Sequence, residues 1–184
     1  MPSRLSSRTN RAEAALLQIA MRVEDHRRLA SGDPTQGLPQ GRHIWWQSDF
    51  LRHGNAIVDL VAVAENFCSS RLLDCRPQVQ EQEVFSWDRR KKAWKKYASV
   101  DLETVTLFWD NLYGFIEARN SLQHGLGSLT DSQLSEKRRG DVLRCIKTAG
   151  LALVGDRISV DFSSVVECRR VCEEFVFGLD VQAP

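Results

Sequence analysis

The sequence contains no apolar stretch long enough to cross a membrane, and a secretory leader is not expected. A membrane span needs about 18 or more consecutive apolar residues, and the 184-residue chain has no such run. The N-terminus, residues 1–11, is basic and rich in serine, but it lacks the apolar core of a signal peptide. We therefore expect a cytoplasmic protein that has no membrane partner.

The sequence signatures of several enzyme classes are also missing. There is no G-x-x-x-x-G-K-S/T, no G-x-G-x-x-G leading from a strand into a helix, no H-E-x-x-H and no G-x-S-x-G. Their absence argues against ATP hydrolysis, dinucleotide binding, zinc proteolysis and serine hydrolysis. No cofactor is predicted.

The cysteines and the net charge give no direct sign of a metal site or a large basic surface. The five cysteines form no tight pattern. Cys168 and Cys172 have helical i, i+4 spacing, but no two further zinc ligands lie near them in sequence, so buried free thiols are predicted. The formal net charge is only +1. Any affinity for anions must therefore come from local clusters of basic side chains.

Apolar periodicity predicts one all-α domain over residues 1–184, an up-and-down helical bundle with a small C-terminal β-hairpin. Apolar residues make up 42% of the chain and charged residues 27%, which is ordinary for a globular domain. The helices are predicted at Asn10–Ala30, Ser48–Leu73, Asp101–His124, Thr130–Thr148 and from Ser164 onward.

The remaining segments are predicted to be turns, loops or a disordered terminus. Gly155-Asp156 separates two short apolar stretches, which is typical of a two-residue hairpin. Residues 31–41 contain three glycines and two prolines and should form a loop. Residues 1–9 are expected to be disordered.

The helix predicted at Asp101–His124 ends with an arginine, an amide and an imidazole: Arg119, Asn120 and His124. A neutral imidazole can take a proton from a hydroxyl near pH 7, and its protonated form can return one to a leaving oxygen. A guanidinium binds phosphate oxygens and supplies positive charge as the transition state forms. An amide beside them can orient either group. Together they suit metal-independent cleavage of RNA with the ribose 2′-hydroxyl as the nucleophile.

The spacing alone also has a simple structural interpretation. An arginine five residues before a histidine often occurs by chance, and a histidine at the C-terminal end of a helix complements the helix dipole. The asparagine directly after Arg119 and the glycine directly after His124 favour the catalytic interpretation.

Residues 119–125, R-N-S-L-Q-H-G, resemble the R-N-x-x-x-H-G signature of the HEPN superfamily (higher eukaryotes and prokaryotes nucleotide-binding domains). Residues 56–67 are similar to the apolar second helix of its stand-alone, RiboL-PSP-like branch, which tends to close with a glutamate and an aromatic residue. The resemblance implies an all-helical bundle, a homodimer and a ribonuclease that needs no metal, often in toxin–antitoxin or antiviral settings. It assigns the active site to Arg119, Asn120 and His124. One branch carries a tyrosine two residues after the histidine. This chain has Leu126 there, so regulation by modification of such a tyrosine is not expected.

Other polar residues have a functional and a structural interpretation. Glu65 can support the active site, but a carboxylate paired in the core or at an interface is the favoured interpretation. The sequence D-H-R-R at residues 25–28 fits a solvated helix face better than a site. His53 lies on the early, more exposed turns of its helix, where a structural role is favoured over a functional one.

The densest positive charge lies at residues 86–99, where tryptophans and a tyrosine alternate with basic residues. Such a pattern suits single-stranded RNA, through phosphate contacts and base stacking. The alternative is a helix whose tryptophan face packs inward and whose basic face is merely solvated. The candidate RNA-binding residues are Arg89, Arg90, Lys91, Lys92, Lys95 and Lys96.

The sequence therefore predicts an endoribonuclease with its site at a homodimer interface, where two copies bring two arginines and two histidines around one cleft. A toxin or antiviral effector held silent by an antitoxin is one setting for it. The alternative from another class is a non-catalytic helical module that binds RNA or protein.

Overall fold

The computed structural model describes residues 8–31 and 42–184, and over these residues the chain is mainly helical with one antiparallel pair of strands. This confirms the predicted fold class. The expected disorder at residues 1–7 and the loop at 32–41 lie outside the described residues. The helices are α1 (Asn10–Ser31), α2 (Arg42–Cys75), α3 (Trp87–Ala98), α4 (Trp109–His124), α5 (Asp131–Leu134), α6 (Arg139–Thr148) and α7 (Phe162–Gln182), with strands β1 (Ala152–Val154) and β2 (Arg157–Ser159).

The long helix α2 is the centre of the bundle and contacts α1, α3, α4 and α7. Ile57, Leu60 and Val61 on this helix are completely buried. A helix that is apolar on most of its sides must be covered by other elements on those sides, and these four helices cover α2. None of the described helices combines the length and the apolar character that a membrane span requires.

The apolar faces predicted for α4 and α7 are the faces that pack into the core. On α4, Leu112, Phe115 and Ala118 are fully buried, and Leu122 packs against the same cluster. On α7, the predicted face is entirely buried. Its members are Val165, Cys168, Cys172, Phe175 and Leu179.

The helix that carries the motif is shorter than predicted. Asp101 does cap a helical turn, but that turn is the 3₁₀ segment Leu102–Thr104, and α4 begins only at Trp109. The chain bends between them, where the carbonyl oxygen of Val105 lies against α7. A Cβ added at Gly178 would be 1.9 Å from this oxygen. We attribute the break to this close packing.

The helix predicted at Thr130–Thr148 is divided in two. Thr130 and Gln133 form the predicted capping box, but it opens only the short α5. At Ser135 the backbone turns extended, and its hydroxyl donates to the carbonyl oxygen of Ser132, 2.8 Å away. A serine that bonds to nearby backbone in this way competes with helix continuation.

Three predicted termini differ from the structure. The helix α2 begins at Arg42, so Ser48 lies inside it and is not its cap. The helix α7 is capped by Asp161, whose carboxylate accepts from the Ser164 N–H at 2.8 Å. Thr9 is not disordered, because its N–H and hydroxyl donate to the Asp180 carboxylate at 2.9 and 2.6 Å.

The predicted hairpin is present and is joined to the end of the motif helix. Leu153 pairs with Ile158 across the two strands. The Ile158 N–H donates to the carbonyl oxygen of Gly127 at 2.9 Å, and Ser128 forms a bridge with Arg157. The segment that follows His124 is therefore held by backbone hydrogen bonds to the hairpin.

Candidate active site

Arg119 is held at the surface of α4 by a carboxylate from α2. Its Nη2 lies 3.5 Å from Oε2 of Glu65, and the side chains are 24% and 12% exposed. The favoured expectation for Glu65, a buried and paired carboxylate, is therefore correct. Because its partner is Arg119, Glu65 also supports the candidate site.

Glu65 is shared between two arginines. Its Oε1 lies 3.6 Å from Nη1 of Arg90, whose side chain is only 9% exposed and whose Nε donates to the Ser69 hydroxyl at 2.8 Å. One carboxylate thus faces two guanidiniums, and the cluster keeps a net positive charge. That excess favours the approach of an anion such as phosphate.

Asn120 contacts Arg119 directly. The Nη1 of Arg119 donates to Oδ1 of Asn120 at 3.3 Å. The Nε of Arg119 is buried and has no hydrogen-bond partner among the described residues. A buried donor without a partner costs free energy, so this guanidinium is held in place by its neighbours and keeps hydrogen-bonding capacity unused.

His124 is the last residue of α4 and is exposed to solvent. Within residues 8–31 and 42–184 it makes no hydrogen bond or ion pair. His124 follows Arg119 by five positions, which on a helix is about 7.5 Å along the axis and roughly 140° around it. Within one chain Arg119 is hydrogen-bonded to Asn120, while the imidazole of His124 makes no hydrogen bond with either residue.

The two glycines after His124 are required by the turn that ends the helix. A Cβ at Gly125 would lie 2.0 Å from the carbonyl oxygen of Ser128. Gly127 has φ +94°, and a Cβ there would lie 2.5 Å from the Phe50 ring. The predicted helix stop is confirmed, and the turn presents His124 at its rim.

A buried polar network holds the inner side of α4. Glu117 is 1% exposed, and its carboxylate accepts from Arg138 at 2.6 Å and from Gln133 at 2.7 Å. The hydroxyl of buried Ser121 donates to Oε1 of Gln133 at 3.0 Å. The network joins α4 to α5 and to the residue that precedes α6. It restrains the rotation of the helix that carries Arg119 and His124.

The basic strip on α3 is divided by the fold. Trp87 and Trp94 are buried in the core, so they are not available to stack on bases, as the alternative interpretation expected. Arg90 also points inward, onto Glu65 and over the Trp87 ring. Arg89, Lys91, Lys92, Lys95 and Lys96 lie toward the surface.

Most of these surface cations have partners. Lys91, Lys95 and Lys96 pair with Glu103, Asp101 and Glu83 at 3.0 to 3.3 Å. Arg89 donates to the carbonyl oxygen of Gln82 at 2.8 Å. A hydrogen bond with Tyr97 and the carboxylate of Glu83 raise the pKa of Lys96. The positive field of this face is therefore weaker than the count of basic residues suggests.

The D-H-R-R segment on α1 is not simply a solvated face. His26 is 4% exposed, and its Nε2 lies 3.0 Å from Nδ1 of His53 on α2. Its ring stacks on Phe162 with centroids 6.0 Å apart. Burial, the neighbouring His53 and then Arg52 lower the pKa of His26. Sequence spacing does not reveal this pair, because the two residues belong to different helices.

No cluster of three or more histidine, cysteine or carboxylate side chains suited to a metal occurs in residues 8–31 and 42–184. All five cysteines are free thiols, and four of them are buried. Burial raises the pKa of the Cys68 thiol to about 12. Such thiols are inert at neutral pH.

The arginine that faces Glu65 from α3 had a signal in the sequence. Arg90 follows Trp87 by three residues and precedes Trp94 by four, so the helical period places all three on one face. An arginine on the same helical face as two buried tryptophans is itself buried and is stabilised by a nearby carboxylate. On α2 that carboxylate is Glu65. The Gln133–Glu117 pair had no comparable signal, because it depends on how α5 packs on α4.

Comparisons of the chain with protein-family models, with curated proteins and with solved structures found no match.

Proposed function

We propose that the protein is a metal-independent endoribonuclease of the HEPN type, with a site formed by Arg119, Asn120 and His124 at a homodimer interface. The observation that carries the proposal is the presence of both a positioned cation and an exposed imidazole on the last turns of one helix. Glu65 holds Arg119 in place, Asn120 contacts it, and His124 stands at the rim of the same helix.

The proposed mechanism uses each group for one task. His124 takes the proton of the ribose 2′-hydroxyl or returns one to the leaving 5′-oxygen, because an imidazole can do both near pH 7. Arg119 holds the scissile phosphate and stabilises its charge in the transition state. Asn120 orients Arg119 or the substrate. The net positive charge around Glu65 supports this role for Arg119.

A second copy completes the proposed site. In one chain the helix sets His124 about 7.5 Å along its axis and roughly 140° around it from Arg119, so the two groups meet best at one phosphate when the arginine of one copy faces the imidazole of the other. A two-fold axis near the end of α4 would place two Arg119 and two His124 side chains around one cleft. The exposed side chain of Leu126 next to the motif is apolar surface that such a dimer can cover.

The proposed setting is that of a cytoplasmic toxin or antiviral effector, with RNA as substrate and an antitoxin as a possible further partner. Expression of such an enzyme should arrest growth, and His124→Ala should relieve the arrest. Arrest that is unchanged in His124→Ala would contradict the toxin role.

The nuclease proposal is tested with purified protein and single-stranded RNA in EDTA. We expect Arg119→Ala and His124→Ala each to lose activity by a factor of about 100 or more. Arg27→Ala, which removes an exposed arginine on α1, is the matched control and should keep wild-type activity. Wild-type activity in both motif variants would end the proposal.

The second candidate is a non-catalytic helical module that binds RNA or protein. The observation that favours it is the exposed His124, which makes no hydrogen bond with Arg119 within one chain. Sedimentation, which gives the oligomeric state, and the RNA cleavage assay together separate the two candidates. A monomer that binds RNA without cleaving it supports the module, whereas a dimer that cleaves RNA supports the enzyme.

A further inference from the structure

A cavity of about 330 Å³ lies beside the motif, between α2 and the end of α4. Gln123, which lines it, directly precedes His124 and follows Arg119 by four residues. Residues four apart on a helix have Cβ atoms about 5–6 Å apart. The cavity therefore opens within one helical turn of the groups proposed to act on the scissile phosphate.

The walls of this cavity suit a flat ring. Phe50, Leu51, Val58, Leu122 and Leu126 supply apolar surface. A volume of about 330 Å³ lies at the small end of the range for ligand pockets, roughly 300–1,000 Å³. It fits one ring system better than an extended ligand.

The polar groups at this cavity suit the edge of a nucleobase. Asn55 on α2 and Gln123 on α4 line it, and each amide offers both donors and an acceptor. The guanidinium of Arg157 lies over the Phe50 ring, 5.1 Å from its centroid, and also lines the cavity. Amides that read base edges and planar groups that stack on bases are the means by which proteins recognise unpaired RNA.

The rim carries a leucine in an unusual conformation. Leu126 is 84% exposed and has φ +51°, a left-handed region that a leucine seldom adopts. It stands between Gly125 and Gly127 in the turn that follows the motif. This turn places an apolar side chain at the entrance of the cavity, two residues after His124.

A second hollow, lined by charges of both signs, lies next to the cavity along α2. It has a volume of about 550 Å³ and shares Asn55 with the cavity. Its lining includes Arg22, Arg28 and Arg52, together with the acids Asp25 and Asp59. Because Arg22 lies 3.8 Å from Asp59 and Arg28 lies 3.1 Å from Glu24, the hollow offers the neighbouring phosphates of a bound strand only a small excess of positive charge.

We propose that this cavity binds one nucleobase of the RNA strand, adjacent to the scissile phosphate, and so determines the cleavage preference. The inference rests on the proposed endoribonuclease function, which it deepens. A small ring-sized site with two amides at its edge discriminates among bases by hydrogen bonding, whereas the phosphate contacts of Arg119 do not.

The test uses oligonucleotides with one ribonucleotide in an otherwise deoxy strand, so that only one linkage has a 2′-hydroxyl. The bases on either side of this linkage are varied through all four. For the wild-type protein we expect rates that differ by about 5-fold or more between the best and the worst base. Gln123→Ala and Val58→Phe, which remove an amide and fill the cavity, should reduce this difference to about 2-fold or less. Gln18→Ala, at an exposed position on α1, is the control and should keep the wild-type preference.

A second measurement separates the cavity from the chemistry. Binding of the same oligonucleotides to the His124→Ala protein is followed by fluorescence anisotropy, with and without Val58→Phe. If Val58→Phe fails to fold, Leu126→Ala replaces it in this experiment, because Leu126 is an exposed residue of the cavity wall. Its control is Leu107→Ala, which changes a leucine that is 98% exposed.

The outcomes separate this inference from the proposed function. If the wild type cleaves and the cavity variants keep its base preference, the cavity inference is wrong and the nuclease stands. If the wild type does not cleave, the nuclease proposal fails. In that case, binding that depends on the base and loses this dependence in Val58→Phe would support a base-binding cavity. Binding with the same base dependence in Val58→Phe would overturn the cavity inference. A cavity variant that turns a dimer into a monomer without changing base preference would assign the cavity to a protein interface instead.

Discussion

Replacing Glu65 by glutamine should destabilise the protein and misplace Arg119. The carboxylate lies 3.5 Å from Arg119 and 3.6 Å from Arg90, and its side chain is 12% exposed. With a neutral amide in its place, two partly buried guanidiniums face each other without a counter-ion. Removing one partner of a buried ion pair costs about 3–5 kcal/mol. Because both N–O distances exceed hydrogen-bond length and Arg119 is 24% exposed, we expect about 3 kcal/mol.

The stability change is measured by urea unfolding at neutral pH, with Glu24→Gln as the matched control. Glu24 also faces two arginines, Arg27 at 3.7 Å and Arg28 at 3.1 Å, but its side chain is 47% exposed. Exposed ion pairs within a helix contribute about 0.3–0.5 kcal/mol each, so the control should lose about 1 kcal/mol or less. The difference between the two glutamates isolates the effect of burial.

The cleavage assay tests whether Glu65 acts through Arg119. A displacement of about 1 Å at a group that holds the substrate can cost about 100-fold in rate, so we expect Glu65→Gln to lose 10- to 100-fold in kcat/KM. Arg119→Ala should lose much less in the Glu65→Gln background than in the wild type, because the two act together. The reasoning would be refuted if the kcat/KM losses of Arg119→Ala and Glu65→Gln simply multiplied in the double variant. It would also be refuted if Glu65→Gln had the same free energy of unfolding as Glu24→Gln.

Three further predictions follow from the same contacts. Gln133→Ala should lower the free energy of unfolding by about 2–3 kcal/mol, measured in urea, because it leaves the Glu117 carboxylate and main chain with fewer buried partners; a loss under 0.5 kcal/mol would show that the network is dispensable. Leu126→Gly should raise the thermal midpoint by relieving about 1 kcal/mol of left-handed strain, while it lowers cleavage; a lower midpoint would contradict the strain argument. Burial and the neighbouring His53 lower the pKa of His26, so the unfolded state binds the proton more tightly, and stability should be lost as the pH falls below the ordinary histidine value of 6.5. The loss of stability between pH 7.5 and 5.5 should be smaller in His26→Phe than in the wild type; an equal loss would assign the pH dependence to other groups.

The sequence predicted the helices best where one face is continuously apolar. The buried faces of α4 and α7, the central position of α2 and the hairpin at Gly155 all follow from local patterns that the tertiary structure leaves unchanged. Local pattern failed where tertiary packing interrupts a helix. At Val105 the chain bends against Gly178 of α7, and no nearby residue signals that contact.

The candidate site was predicted in part. The motif gave Arg119, Asn120 and His124, and the glycines after it indicated the turn that ends the helix. The partner of Arg119 depends on α2 lying beside α4, which sequence spacing does not encode. The inward direction of Arg90 could be read from its helical position, whereas the acidic partners of the lysines on α3 could not, because they lie on separate turns of the chain.

The most direct test of the central claim measures RNA cleavage in EDTA by the wild type, by Arg119→Ala, by His124→Ala and by the two variants refolded together. The account predicts that each variant alone is at least about 100-fold slower than the wild type. It also predicts that the mixture recovers activity, because a mixed dimer holds one intact arginine and one intact histidine in a shared cleft. Wild-type rates for both variants alone would contradict the catalytic role of these residues, and a mixture as inactive as its components would contradict the shared site.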